Sequence, residues 1–266
     1  MFDLRECRGK LRIPGLIVRC EGCSFWYKIP VRSDDIPESY QGDYGQDEAV
    51  ERYMLGEQTR VFYRKVLAGL SARRGRLLDL GCGYGALLEE ANRLGYDAQG
   101  IDLSNPLVLK ARERGLNVEC KSAEDLDEVG AFDVVTMLDI IEHVSDPLAL
   151  LAAARRALKP GGELVVYTPN HRAAVVLLAR TLYAAGLKFA VIEIFGGNHV
   201  GFFDDRTLPA AFRKAGLGPS RLALSPYDPT RPGQYVSPIS LMTVAAVERV
   251  GQPFDRVFRM LAYTQV

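Results

Sequence analysis

Three glycines and one acid stand close together where a predicted strand meets a predicted helix. Asp79 is followed by Gly81, Gly83 and Gly85. The apolar run over residues 77–80 predicts a buried strand before the glycines, and apolar residues at helical spacing predict a helix after them. A turn without Cβ atoms lets a ligand lie against bare backbone, and the amides at the start of the helix favour negative groups on that ligand. This corner is therefore predicted to bind a nucleotide-type ligand.

The spacing of the glycines separates two classes of such ligands. Dinucleotide-binding turns follow G-x-G-x-x-G, whereas this chain has G-x-G-x-G. An acid at position 79 is a poor neighbour for phosphates, but it suits a ligand with a cationic end. The stretch Leu-Asp-Leu-Gly-Cys-Gly-Tyr-Gly resembles the first motif of class I S-adenosylmethionine-dependent methyltransferases. The resemblance implies that Asp79, Gly81, Gly83 and Gly85 contact this cofactor, which carries an amino group and a sulfonium.

A second acid fits the adenosine part of the same ligand. Asp102 stands at the end of the second predicted strand. A carboxylate at this place can accept hydrogen bonds from both ribose hydroxyls, and Leu103 beside it would contact the adenine. Asp102 can also be explained as a helix cap or a surface acid.

Three later segments match further motifs of the same family. The resemblance implies that Ala123 and Glu124, after the third predicted strand, meet the edge of the adenine, although Glu124 too can be a cap or a surface acid. It also implies that Leu138 and Asp139, after the fourth strand, lie along the methionine moiety. Residues 159–162, Lys-Pro-Gly-Gly, match a turn that is structural in the family.

Strands and helices alternate after the glycine turn, which indicates an α/β fold with a parallel sheet and helices on both faces. The predicted strands cover residues 77–80, 98–101, 116–120, 132–138, 163–168, 222–224 and 257–266. The last strand is expected to be antiparallel. We therefore predict a Rossmann-like, doubly wound sheet of seven strands, preceded by helical periodicity over residues 47–70.

The N-terminal region differs in composition from the rest of the chain. Residues 1–45 contain Cys7, Cys20 and Cys23, and the last two have the C-x-x-C spacing of half a zinc ribbon. The segment is similar to the N-terminal zinc ribbon of some class I methyltransferases, but the second cysteine pair is incomplete. We predict a degenerate, zinc-ribbon-like segment over residues 1–45 without structural zinc.

Residues 46–266 are predicted to form the methyltransferase domain. Residues 169–203 interrupt the alternation after the fifth strand, and we expect them to form a lid over the strand ends. Tyr40 and Tyr44 are candidates for a cap over the cofactor, or else they pack as ordinary tyrosines.

Methyl transfer from a sulfonium needs a base only when the acceptor must lose a proton. Of the three histidines, His199 is the preferred base, because its glycine-rich loop also holds Phe195, Phe202 and Phe203. A pocket histidine without proton chemistry is the alternative. For His143 a packing or capping role is expected, and for His171 a cap of the next helix.

The loop around His199 is similar to the Glu-His-x-x-Tyr-Phe segment of sugar C-methyltransferases. However, Asn198 replaces the glutamate and Gly196 stands where a tyrosine is expected, which puts C-methylation of a sugar in doubt. In some quinone-pathway O-methyltransferases the region after the fourth strand is associated with a metal. Asp139, Glu142 and His143 could imitate that arrangement, but we expect no metal here.

The composition of the chain argues against some classes of partner. The chain of 266 residues has a formal net charge of zero, so no general affinity for nucleic acid is predicted. Apolar runs are too short to span a bilayer. Five cysteines without a framework favour a reducing compartment, with the cytoplasm as the default.

These observations predict an S-adenosylmethionine-dependent methyltransferase whose acceptor is a small molecule, a sugar or another biosynthetic intermediate. One alternative is a module that binds S-adenosylmethionine without catalysis. Another is an NAD-type dehydrogenase that uses the same corner, which the glycine spacing and Asp79 disfavour. The oligomeric state has no signal in the sequence.

Overall fold

A computed structural model describes residues 9–13, 17–28, 48–72, 74–187, 199–225 and 238–266. The strands in these ranges are β1 (Gly9–Ile13), β2 (Ile17–Cys20), β3 (Trp26–Lys28), β4 (Gly75–Leu80), β5 (Tyr96–Asp102), β6 (Asn117–Cys120), β7 (Phe132–Leu138), β8 (Leu158–Pro169), β9 (Gly201–Phe202), β10 (Ser220–Ser225) and β11 (Arg259–Gln265). The helices are α1 (Glu48–Met54), α2 (Glu57–Ala68), α3 (Ala86–Arg93), α4 (Asn105–Glu113), α5 (Pro147–Ala157), α6 (Ala174–Ala184), α7 (Thr207–Lys214) and α8 (Pro238–Gly251). No helix in the described ranges has both the length and the apolar character needed to cross a membrane.

The central sheet has seven strands in the order β10-β11-β8-β7-β4-β5-β6. Strand β11 pairs antiparallel with β8 and β10, whereas β4 to β8 pair in parallel. The α/β fold with seven strands and the antiparallel last strand are thus confirmed. Leu80 of β4 is paired with Ile101 of β5 and with Met137 of β7, so these strands end at the same edge. Ligands of open α/β sheets bind at this edge.

The side chains of the central strands alternate between two apolar layers. Leu78 and Val135 belong to the layer that contains α5 and α7, and Leu77 and Val134 belong to the layer that contains α2 and α3. Because successive side chains of a strand point to opposite faces, burial of both sets requires helices on both sides. The sheet is therefore doubly wound, as predicted.

The predicted helix over residues 47–70 is in fact two helices, α1 and α2. They are separated at Gly56, where a Cβ atom would lie 2.8 Å from the carbonyl oxygen of Arg52. The carbonyls at the end of α1 accept side-chain hydrogen bonds from α2, from Thr59 Oγ1 to Tyr53 O and from Arg60 Nε to Leu55 O. The glycine was the sequence signal for this break.

The predicted turn at residues 159–162 lies within β8 as a local irregularity. Phe132 of β7 is paired with Leu158, but Val134 is paired with Glu163. The extra residues loop out at Gly161, whose φ of 78° is left-handed. The strand therefore begins earlier than the sequence pattern predicts.

A second, antiparallel sheet has the order β1-β2-β3-β9. Its last strand comes from the segment after β8, and Trp26 of β3 is paired with Phe202 of β9. Cys20 and Cys23 lie on a tight turn, in which Ser24 N donates to Cys20 O at 3.0 Å. Cys7, Tyr40 and Tyr44 lie outside the described residues. Strands β1 to β3, from the segment that was expected to end at residue 45, thus share one continuous sheet with β9.

Gly100 in the middle of β5 leaves room for the glycine turn. A Cβ atom there would lie 2.7 Å from both Cβ and Sγ of buried Cys82. We predict that Gly100→Ala lowers the free energy of unfolding by about 1–3 kcal/mol through overpacking. Gly115→Ala is the control, because a Cβ atom at Gly115 meets nothing within 4 Å and only its left-handed φ of 76° is strained. Denaturant unfolding curves measure both variants, and equal losses of about 1 kcal/mol or less would contradict the steric argument.

Candidate functional site

The glycine turn and the end of β5 form one hydrogen-bonded unit. Gly81, Gly83 and Gly85 all have left-handed backbones, with φ of 73°, 52° and 76°, which only glycine adopts readily. The buried carboxylate of Asp102 accepts hydrogen bonds from Gly83 N and Ser104 N, both at 2.8 Å. Burial raises the pKa of Asp102, and these backbone donors oppose the shift. The carboxylate is therefore fixed directly beneath the turn.

A cavity of about 330 Å³ opens at this edge of the sheet. It is lined by Leu80, Gly81, Ile101, Asp102, Leu103, Lys121, Ser122, Ala123, Glu124, Ile140, His143, Val144, Ser145, Asp146 and Leu150. Five of the predicted cofactor residues are in this lining: Gly81, Asp102, Leu103, Ala123 and Glu124. The wall thus combines one buried carboxylate with apolar side chains, which is what a nucleoside requires.

Ala123 and Glu124 belong to a short 3-10 helix, Ala123–Asp125. It begins after Ser122, whose Oγ accepts a hydrogen bond from Glu124 N at 3.3 Å. A Cβ atom on Gly81, on the opposite wall, would overlap the side chain of Ile140. A side chain at position 81 would therefore enter the space that Ile140, another lining residue, occupies.

Helix α1 covers the other side of the glycine turn. Val50 and Met54 pack with Tyr84 and Leu107 in a small cluster, and Glu51 forms an ion pair with Lys110 of α4. The Cε atom of Met54 lies 3.5 Å from where a Cβ atom on Gly83 would be. Helix α1 is thus held against the glycine turn.

Asp79 lies below the turn and is not among the residues that line the cavity. Its carboxylate is buried and accepts a hydrogen bond from Thr136 Oγ1 at 2.6 Å. Burial raises the pKa of Asp79 to about 7; the hydrogen bond from Thr136 opposes this shift and the charge of Asp102 adds to it. A cation close to the turn would favour the ionised form.

Asp139 follows β7 and has a left-handed backbone, with φ of 56°. Its carboxylate accepts a hydrogen bond from Arg259 Nη1 at 2.7 Å, and the guanidinium lies over the ring of Tyr167. Burial disfavours the charged guanidinium, but the surrounding negative groups, Asp139 first, outweigh it and raise the pKa of Arg259. Leu138 and Asp139 do not line the cavity. No motif pointed to Arg259, because only the fold brings β11 to this edge.

Two histidines and a glutamate meet at one end of the cavity. His143 lines the cavity, and its ring contacts that of His199 edge to face with centroids 4.7 Å apart. A carboxylate oxygen of Glu142 and one ring nitrogen of each histidine all lie within 4.8 Å of one another. Two imidazoles and a carboxylate are a possible ligand set for a divalent metal ion.

The backbone of Glu142 holds His199 at this position. Its carbonyl oxygen accepts hydrogen bonds from Val200 N at 2.9 Å and from Gly201 N at 3.0 Å. Its side-chain Oε2 accepts one from Thr168 Oγ1 at 2.9 Å, and burial raises the pKa of the carboxyl. Among the described residues, the buried Oε1 has no hydrogen-bond partner.

The environment of His199 keeps its imidazole neutral. Burial lowers its pKa well below the usual range, and the nearby charges of His143, His171, Arg259 and Lys28 act in the same direction. A neutral imidazole can accept a proton or bind a metal. Of the aromatic residues expected around it, Phe202 and Phe203 are buried, while Phe195 lies with residues 188–198 outside the described ranges.

His171 does not cap α6, contrary to the sequence expectation. The residue before that helix is Ala173, which makes no side-chain cap. The ring of His171 instead packs against Phe202 and Phe258, with Nδ1 3.3 Å from Phe203 O. Burial lowers its pKa to about 4 from a usual value of 6.5.

We predict that His171 makes the protein less stable in mild acid. The unfolded chain takes up a proton near pH 6.5 and the folded chain only near pH 4, so stability is lost as the pH falls through this window. A pKa difference of about 2.5 corresponds to about 3 kcal/mol. Unfolding free energies of the wild type and His171→Asn between pH 4 and 7.5 test this. A stability difference between the two proteins that stays constant with pH would contradict it.

Comparison with known proteins agrees with this geometry. The methyltransferase domain family matches residues 55–219 of the chain. A ubiquinone biosynthesis O-methyltransferase of Xanthomonas axonopodis pv. citri is 37% identical over 176 residues, which cover 62% of this chain and 72% of that protein. The protein of the same name from Cereibacter sphaeroides is 36% identical over 176 residues, which cover 63% of this chain and 70% of that protein.

Solved structures share the fold at low sequence identity. A S-adenosylmethionine-dependent methyltransferase of Thermotoga maritima, described as a possible histamine N-methyltransferase, superposes with a TM-score of 0.59 at 18% identity, covering 85% of this chain and 99% of that one. Geranyl diphosphate C-methyltransferase of Streptomyces coelicolor was solved with Mg²⁺, geranyl diphosphate and S-adenosylhomocysteine. It superposes with a TM-score of 0.60 at 16% identity, covering 89% of this chain and 99% of that one.

These findings do not favour an NAD-type dehydrogenase or a non-catalytic module. The glycine turn, the buried acid after β5 and the strand order are found together with a family match that covers more than half of the chain. The chain belongs to the methyltransferase domain family and is a class I S-adenosylmethionine-dependent methyltransferase.

Proposed function

We propose that this enzyme transfers a methyl group from S-adenosylmethionine to a hydroxyl of a small biosynthetic intermediate. The observation that carries the proposal is the cavity that runs from Asp102 to His143, where the neutral imidazole of His199 lies against the ring of His143. Relatives that bear the name of an O-methyltransferase in ubiquinone biosynthesis support oxygen as the acceptor atom.

The cofactor is proposed to lie along the carboxyl ends of β4, β5 and β6. Asp102 would accept the ribose hydroxyls, and Leu103, Ala123 and Glu124 would contact the adenine. The remaining proposed contacts, with the methionine part, come from Asp79, Gly81, Gly83, Gly85, Leu138 and Asp139. Asp79 would act from below the turn, because its buried carboxylate favours a cation above it without reaching the cavity wall.

The chemistry is an in-line displacement at a methyl group that the sulfonium already activates. The C–S bond breaks as the C–O bond forms, and S-adenosylhomocysteine leaves. The enzyme then has two tasks: to hold the acceptor oxygen in line with the methyl group, and to accept the hydroxyl proton. We assign the second task to His199, whose low pKa leaves it unprotonated at neutral pH.

The regions outside the core are proposed to complete the acceptor side. Residues 46–266 would form the catalytic domain, residues 1–45 a degenerate ribbon, and residues 169–203 the lid. Pairing of β3 with β9 supports a lid that is anchored by the N-terminal sheet. None of the four described cysteines, Cys20, Cys23, Cys82 and Cys120, forms a disulfide, which supports a cytoplasmic, reducing location.

We predict that Asp102→Ala weakens the binding of S-adenosylhomocysteine at least about tenfold. Hydrogen bonds to a charged group contribute about 1.5–3 kcal/mol each, and the carboxylate also supports Gly83. Asp97→Ala is the matched control, since Asp97 is on the same strand with its side chain 76% exposed. Isothermal titration calorimetry measures both. Binding that is equally tight in the two variants would contradict the assignment of the ribose ligand.

We predict that His199→Asn lowers kcat/KM for a hydroxyl acceptor by about 10²–10⁴-fold. Affinity for S-adenosylhomocysteine should change by less than about threefold, because no proposed cofactor contact is removed. The assay is transfer of labelled methyl from S-adenosylmethionine to a panel of catechols, phenols and sugars, each paired with its amino analogue. Methylation of amino analogues only, or a variant with an unchanged pH–rate profile, would contradict the proposal.

A further inference from the structure

Arg259 places a guanidinium at the ligand edge of the sheet, and the described residues use few of its donors. The residue begins β11 and is paired with Pro169 at the end of β8. A guanidinium carries five N–H donors, and among the described residues Asp139 is its one hydrogen-bond acceptor, at 2.7 Å from Nη1. The side chain of Arg259 is 22% exposed and that of Asp139 is 39% exposed. A ligand can therefore reach the remaining donors of the guanidinium.

Aromatic rings and a constrained backbone hold this guanidinium in place. Its Cζ lies 5.1 Å from the ring centroid of Tyr167 and 5.6 Å from that of Phe258. The ring of Phe62 packs against Tyr167 with centroids 4.6 Å apart. Asp139, which orients Nη1, has a left-handed φ of 56°, a sparsely populated conformation that clusters at binding sites. The planar donor edge is thus preorganised for a partner that accepts two hydrogen bonds in one plane, such as a carboxylate.

The sheet order places the guanidinium on the acceptor side of the proposed site. Strand β11 is three strands from β4 in the sheet. Neighbouring strands are about 4.8 Å apart, so β11 lies roughly 14 Å from the strand that ends in the glycine turn. Besides burial, all the charges that act on the proposed base, His199, lower its pKa: those of His143, His171, Arg259 and Lys28. The surroundings of the base are therefore positive, which favours an anionic group on the acceptor.

We propose that Arg259 binds a carboxylate of the acceptor, so that the substrate is a hydroxy acid whose hydroxyl is presented to His199. Arg259 uses only Oδ1 of Asp139, which leaves Oδ2 for the amino group of the cofactor. The inference rests on the proposed function for the hydroxyl and for the base. It adds a second point at which the acceptor is held, and two such points fix the direction of the attacking oxygen.

Pairs of acceptors that differ only in charge test this assignment. Protocatechuate, homoprotocatechuate, caffeate and salicylate are each compared with the matching carboxamide. Calorimetry measures their binding to the full chain with S-adenosylhomocysteine present, and methyl transfer gives kcat and KM. We expect at least one acid to bind about tenfold or more tightly than its amide, because hydrogen bonds between two charged groups are stronger than those to a neutral amide.

Variants of Arg259 separate recognition from folding. Arg259→Gln should remove the preference for the acid through KM and leave the carboxamide within about threefold of the wild type. Arg259→Lys keeps the charge without the planar edge and should restore part of the preference. Arg221→Gln is the matched control and should behave as the wild type, because Arg221 also lies over a tyrosine ring, that of Tyr263, but on β10. Circular dichroism shows whether each variant is folded. If Arg259→Gln is not, the wild type and Arg259→Lys decide.

Three results would overturn the inference. The first is a wild type that binds no acid more tightly than its amide, or none with a Kd below about 1 mM. The second is an equal loss of preference in Arg221→Gln and Arg259→Gln. The third is an Arg259→Gln variant that keeps the preference but binds S-adenosylhomocysteine about tenfold more weakly, which assigns the guanidinium to the carboxylate of the cofactor.

The inference and the proposed function fail in different ways. If the acids are preferred but only their amino analogues are methylated, the proposed function fails and the role of Arg259 stands. Methylation of the hydroxyl of acid and amide with equal kcat/KM has the opposite meaning.

Discussion

Two backbone N–H groups, of Gly83 and Ser104, donate to the buried carboxylate of Asp102, and the geometry of the glycine turn depends on this contact. Left-handed glycines make the turn compact, but the carboxylate determines where it stands relative to β5. Gly81 N and Cys82 N also donate to Ile101 O. The turn is thus tied to the end of β5 by three hydrogen bonds, and a fourth, from Ser104 N, holds the same carboxylate of Asp102.

The same contact has an electrostatic consequence. Asp79 and Asp102 are both buried near the turn, and the charge of Asp102 adds to the effect of burial on Asp79. Asp79 then retains its proton up to about pH 7, well above its usual value of 3.8, so its ionisation costs stability as the pH rises through that window. A sulfonium or ammonium above the turn offsets this cost, whereas a phosphate would add to it. The corner therefore favours a cationic nucleoside.

The position of His199 depends on one carbonyl oxygen, that of Glu142. Glu142 O accepts both N–H groups of residues 200 and 201, and β9 continues from there into the N-terminal sheet. The loop that carries His199 is therefore held between the end of β7 and β3. This connection explains why a segment far from the glycine turn in sequence lies next to His143.

Local patterns in the sequence were sufficient for the seven strands, the glycine turn and the acid after β5, because each depends on neighbouring residues. The bulge within β8 and the burial of Asp79 depend on packing between elements, and local periodicity does not report that. The break between α1 and α2 had a local signal, Gly56, which the helical periodicity over residues 47–70 obscured. The pairs Arg259–Asp139 and His143–His199 join residues distant in the chain. No spacing rule could have found these pairs, although Asp139, His143 and His199 were candidates by residue type and Arg259 was not.

A crystal structure with S-adenosylhomocysteine and a catechol tests the central claim most directly. The account predicts ribose hydroxyls about 3 Å from the carboxylate of Asp102, adenine between Leu103 and Ala123, and the sulfur directed towards His143 and His199. A ribose bound away from Asp102, or a catechol oxygen remote from the two histidines, would contradict it.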